Sequence, residues 1–431
     1  MGCILFIIRP IVSFVLGLVV LAGLLLTLVS GNFSNKLLNP DFYIEPLQQQ
    51  DVYNRVYTEV LVDPALQETT RDLLGDVEVD PGEIVALLQQ IIPPEYLQSQ
   101  VEDAIQRTVG YFNGDLEELD LYVDLGPPLA NAKGVLLTYV NGRIDALPLD
   151  EFQGDPCNIQ GGLQAASRFE VFFQRLAAGR TPSSLPSLAS VEPACRELLF
   201  DVVISQSLTA GVLEPGIQKA LADIRDDLRR EFLDGDIHGF LKVAARSVTA
   251  PLLDAAIQEI LNDLDGQGRL DLIARVAAWN DEFSEAEIRS ELGQSRDAVN
   301  RFSTLSRTVS LAVFAGGLIL MSLAYLPSLA NMIRWPGLTM LLTGAVTFAI
   351  GKVLQSRVPE ELANFVSFSA SGVSDFPRSV AELSSGLLVA YGQSLLSGVT
   401  DFSLMVLTIG ALLFGASFFV FLLRPIIPGL K

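Results

Sequence analysis

Histidine is almost absent from this 431-residue chain, with His238 the only one, and cysteine is scarce, with three. Zinc sites built from several histidines or four cysteines are thereby excluded, as are relays that need more than one imidazole. His238 follows Asp236 in a turn-like stretch and reads as a surface residue. No Gly-rich phosphate loop with a following Lys stands after a strand pattern. Carboxylate pairs such as Glu117 and Glu118, or Asp226 and Asp227, are frequent in so acidic a chain and read as solvated faces. The expectation is that the protein is not an enzyme. Basic residues number 29 against 50 acidic ones, for a formal charge of −21. A nucleic-acid partner is excluded on that sign, because phosphate binding needs the opposite one.

Charge is also missing over long stretches. Ile11 to Leu28, Val309 to Leu326 and Phe402 to Leu423 hold none, and Gly337 to Leu354 holds only Lys352. About 20 residues at about 1.5 Å rise cover the hydrocarbon core of a bilayer, so each run has the length of a membrane-crossing helix. Half of the residues are hydrophobic although the chain is strongly acidic, which implies apolar spans beside an acidic soluble part. The fold class expected is mainly all-α: a polytopic membrane protein with four transmembrane helices and a large helical extracytoplasmic domain with minor strand content. The boundaries expected are an anchor at 1–30, the acidic domain at 31–307, a transmembrane hairpin at 308–355, an outer loop with amphipathic helices at 356–401, and a last span with a short tail at 402–431.

The first run exceeds the usual core of a signal peptide and no small-x-small cleavage site follows, so it reads as a retained anchor. Arg334 and Trp335 lie in the connector of the hairpin, the residue types found at a membrane boundary. Arg9, Arg334, Arg424 and Lys431 fall on the face shared by the connector and the termini, which has no Asp or Glu. Lys352, Arg357 and Arg378 on the opposite side nearly balance them, so the positive-inside rule favours cytoplasmic termini only narrowly. Cys157 and Cys195, 38 residues apart, are the only cysteines of the large soluble region; they read as one disulfide if that region is exported. Arg in large excess over Lys, with the single sequon Asn32-Phe33-Ser34 close to the membrane, points to a bacterial plasma membrane.

Within the soluble part, helical spacing is expected from Asp51 (Val52, Val56, Val60), from Asp63-Pro64 through Leu74, after Asp80-Pro81, and over Tyr96 to Phe112. Alternation over Leu119 to Leu125 predicts a strand, and Pro128 to Leu147 a helix. Residues 150–196 gather Gly, Pro and Ser and read as a loop-rich insertion tied by the disulfide, with a short helix over Phe169 to Ala178. Asn113-Gly114, Asp234-Gly235 and Asp265-Gly266 each end a helical pattern, where Gly supplies a left-handed residue. Ser284 to Arg307 carries one apolar stripe that runs into the second span, and the pattern from Val380 likewise leads into the last. Val358 to Phe368 reads as an amphipathic segment at the outer interface.

The sharpest chemical motif is Asp263 to Ala274. Asp263, Asp265, Gln267 and Asp271 take the first, third, fifth and ninth positions of a calcium-binding EF-hand loop, with Gly268 at the sixth. Position 12, where Glu would give two oxygens, is Ala274, so calcium is a weak cofactor candidate and a polar turn the plainer reading. Small residues recur in the spans: Ser13 and Gly17, Gly316 and Gly317, Gly344, and Ala411 with Gly415. They suit bundle packing or self-association, and a pore lined by hydroxyls in an oligomer would use the same types. The expected function is a non-enzymatic integral membrane protein presenting an acidic helical domain for interaction, adhesion or assembly at the cell envelope, with the lipid bilayer and either a protein partner or further copies of itself as partners. The alternative is an oligomeric channel or transporter of small or lipid-like solutes.

Overall fold

The computed structural model describes residues 2–32, 36–68, 80–151, 157–177, 184–209, 215–265, 268–279, 283–326, 328–371 and 377–423. These are mostly helical. Helix α1 is Gly2–Asn32 and α2 is Pro40–Gln49, the latter capped by the Asn39 side chain, which accepts the Asp41 N–H. Asp51 follows with φ of 51°, a left-handed position that Asp tolerates. The helix expected from Asp51 is only α3, Val52–Arg55, which widens into a π-helical turn over Val56–Val60. Val52, Val56 and Val60 therefore do not form one α-helical stripe. The helix opened by Asp63 is described as far as Glu68, and its expected remainder to Leu74 lies outside the described residues. Asp80 accepts the Gly82 N–H at 2.7 Å and starts α4, Pro81–Ile91; α5 is Pro94–Asn113.

The expected seven-residue strand contracts to β1, Tyr122–Asp124, after which α6 is Gly126–Asp145 and β2 is Leu149–Asp150. Helix α7, Ile159–Ala177, begins far earlier than the short helix expected from Phe169. Asn158 caps it by accepting the Gly161 N–H at 2.7 Å, and bare Gly162 leaves room for Leu199 and Val202, so these glycines are helical. Next come β3, Leu185–Pro186; α8, Pro193–Thr209; α9, Pro215–Asp223; α10, Arg225–Asp234; and α11, Ile237–Asp263. Strand β4, Arg269–Asp271, pairs antiparallel with β1, setting Val123 against Leu270, while β2 and β3 pair in parallel. Helix α12 is Leu272–Trp279.

Three long helices complete the chain: α13, Glu285–Ala324; α14, Leu329–Ser371; and α15, Arg378–Leu423. Ser284 caps α13 in a reciprocal box with Glu287, and α13 then continues unbroken into the apolar run. Helix α15 does the same, as its apolar spacing implies. The segment from Val358 is a direct continuation of α14 to Ser371. All three helices are long and apolar enough to cross a membrane, and at most a third of each apolar window is buried within the protein. Helix α1 adds the apolar stretch Phe14–Leu28.

The chain packs as two compact units, one of residues 1–55, 98–121 and 272–431, the other of 56–97 and 122–271. The first unit is built on an antiparallel bundle. Leu24 and Leu28 of α1, Met340 of α14 and Val406 of α15 form its core, with Phe314 and Leu318 of α13 packed against them. The second unit is centred on Phe169, Phe200, Phe232 and Phe240, whose ring centroids lie 5.5–6.2 Å apart in tilted and edge-on contacts. All four rings are completely or almost completely buried, so the unit has a soluble-type core of its own.

Candidate functional site

Among the described residues, the closest backbone approaches to a glycine lie in the seam between α14 and α15. Gly337, Gly344 and Gly351 recur every seven residues on α14. A Cβ built on them would meet Phe414 N at 2.7 Å, Leu407 N at 2.6 Å and Thr400 Cγ2 at 2.9 Å. The partners also recur every seven residues, in reverse order, so the helices run antiparallel in a tight left-handed seam. Gly410 of α15 returns the contact against Leu341. A second close pair joins α1 to α13, where a Cβ on Gly23 would meet Phe314 N at 2.7 Å and one on Gly317 would meet Val20 at 2.9 Å. Of the small residues noted in the sequence, Gly317 and Gly344 thus lie in helix contacts. Gly17, Gly316 and Gly415 have nothing within 4 Å of a Cβ position. Gly23, Gly337, Gly351 and Gly410 were missed, although the seven-residue recurrence on α14 is legible in the sequence.

Buried polarity in the bundle is supplied by hydroxyls. Thr343 donates to Thr339 O at 2.8 Å and Thr347 to Thr343 O at 2.9 Å, so each closes on its own helix. Ser30 of α1 and Ser310 of α13 share a buried hydrogen bond of 3.1 Å across the pair. At the turn between α13 and α14, Tyr325 and Trp335 stack with centroids 5.2 Å apart, and Arg334 lies over Phe414 and Phe418 of α15. A guanidinium held on aromatic faces keeps its charge while shielding apolar surface.

At the other end of the bundle, shorter elements grip the long helices. Gln50 donates to Gly386 O at 2.8 Å, and Tyr391 donates to Tyr43 O at 3.1 Å beside the Phe42 ring. Tyr53 is 5 % exposed; burial first, and then the negative charge of Glu102, push its hydroxyl up to about 12. Tyr111, Leu119 and Ile273 form a smaller core with Ile288 and Leu292 of α13. Arg289 donates to Leu119 O at 3.1 Å and pairs with Glu285, while Arg296 lies over the Tyr111 ring. Glu117 and Glu118 line a cavity of about 310 Å³ beside that core together with Arg289.

The calcium-loop candidates fall at the junction of α11, β4 and α12. Asp263 ends α11, Asp265 accepts the Arg269 N–H at 2.6 Å, Asp271 ends β4, and Gln267 lies outside the described residues. Gly114 and Gly235 adopt the left-handed turn expected of them, Gly268 has a φ of 80°, and the third expected position, Gly266, lies outside the described residues. Among the described residues no group of three or more His, Cys, Asp or Glu side chains is arranged to hold a metal ion. Cys157 and Cys195 are joined, with Cα atoms 4.8 Å apart, and tie the starts of α7 and α8 beside the phenylalanine core. His238, expected as a surface residue in a turn-like stretch, lies half-buried in the first turn of α11 and makes a 3.1 Å hydrogen bond with Leu147 O through Nε2.

No family model, no curated protein and no solved structure matches this chain.

Proposed function

We propose that this chain is a non-enzymatic membrane protein of four spans, α1, α13, α14 and α15, that presents its acidic helical part outside a bacterial plasma membrane for interaction or assembly. The observation that carries the membrane reading is the apolar surface of the bundle. Phe14, Ile319, Val353, Leu412 and Phe419, from all four helices, are each 59–71 % exposed, and so much apolar surface has no place in water. The antiparallel pairing of α1 with α13 and of α14 with α15 agrees with alternate crossings. Outward placement of the acidic part draws support from the Cys157–Cys195 pair, since disulfides persist in oxidising compartments. With that placement all 50 acidic residues lie outside or at the outer edge, and cationic partners are favoured over anionic ones.

The glycine seam and the back-bonded threonines favour a sealed bundle over a conducting one. Imaging of the purified full-length particle tests this. Isolated protomers or pairs with a closed bundle are expected, whereas a ring enclosing a continuous solvent path would establish the channel instead.

A further inference from the structure

We infer that a groove between α1 and α14 holds one acyl chain of a phospholipid from the leaflet nearer the α13–α14 turn. This rests on the membrane reading above. The groove has a volume of about 410 Å³ and is walled by Phe14, Gly17 and Leu21 of α1 and by Trp335, Leu342 and Val346 of α14. It exists because Gly17 contributes no side chain where a Cβ would meet nothing within 4 Å. Thr339 and Thr343 also line it, but their hydroxyls donate to Trp335 O and Thr339 O, so the wall asks for no polar ligand.

Length and volume select the occupant. From Trp335 to Val346 the helix rises about 16 Å, about half of a hydrocarbon core of about 30 Å, which is the depth of one leaflet. A single alkyl chain extended over that length fits a volume of about 410 Å³. The end marked by Trp335 also carries Arg334, which places a fixed positive charge at the level of a lipid phosphate.

The test is native mass spectrometry of full-length protein extracted from membranes in mild detergent, washed, and then offered phosphatidylglycerol. One phospholipid retained per chain is expected. It should be lost in Gly17→Leu and in Leu342→Trp, which fill the groove from opposite walls, and kept in Gly415→Leu, whose site meets nothing. Melting temperatures of the two filling variants confirm that they fold. No retained lipid in the wild type, or equal retention in both filling variants, would overturn the inference while leaving a carbonate-resistant membrane protein standing. Release of the wild type by carbonate would overturn both readings.

Discussion

Gly344 of α14 approaches Leu407 of α15 so closely that a Cβ on the glycine would lie 2.6 Å from the leucine's backbone nitrogen. Backbone cannot move aside as a side-chain tip can. Gly344→Leu is therefore expected to force the helices apart and lower stability by about 1–3 kcal/mol or more. Thermal unfolding in detergent measures this, with Gly415→Leu as the control that leaves the midpoint unchanged.

The Cys157–Cys195 bridge closes a 38-residue interval beside the phenylalanine core. On the loop-entropy model its removal costs about 4 kcal/mol. Cys157→Ser with Cys195→Ser should therefore melt well below the wild type, and mass measurement with and without reductant should reveal one labile bridge in the native chain.

Alkaline pH probes the contact between α2, α3 and α5. Tyr53 titrates near 12 in the folded protein and near 10 when unfolded. Below pH 10 both states keep the proton and stability is unaffected. Between about 10 and 12 only the unfolded state loses it, so stability falls as pH rises through that window. Tyr57, Tyr96 and Tyr139 are also raised by burial and add to the slope. Tyr53→Phe should reduce the loss of melting temperature between pH 10 and 12 without removing it.

The loop after α11 should behave as a turn. Asp265 already spends one carboxylate oxygen on the Arg269 N–H, and Ala274 supplies no side-chain oxygen. Millimolar calcium is expected to leave the melting temperature of the full chain unchanged, while Asp265→Ala lowers it with or without the ion. A calcium-dependent rise abolished by Asp263→Ala would give the loop a coordinating role.

The long helices were legible because hydrophobic runs are local signals. The unbroken α13 follows from apolar residues spaced by threes, fours and sevens from Ile288 onward. Which helices and strands pack against one another was not legible. Strand β1 finds its partner about 150 residues later, and α7 was hidden by Gly161 and Gly162, whose helical state depends on the Asn158 cap and on the side chains of α8. The glycine seam shows the same limit: its period can be read, but the closeness of Leu407 to Gly344 is a property of two helices far apart in sequence. The two packing units are interleaved along the chain, which no composition shift announces.

The central claim is an apolar bundle crossing the membrane with the acidic part exported. It is tested most directly by a membrane-impermeant maleimide on intact cells carrying the full-length protein with Cys3 replaced by Ser. One cysteine is introduced at Gln258 in α11, and in a separate variant at Asn331 by the α13–α14 turn; both native residues are exposed. Labelling of Gln258→Cys on intact cells, with Asn331→Cys labelled only after lysis, is the predicted result. Labelling of Asn331→Cys from outside, with Gln258→Cys protected until lysis, would contradict the account.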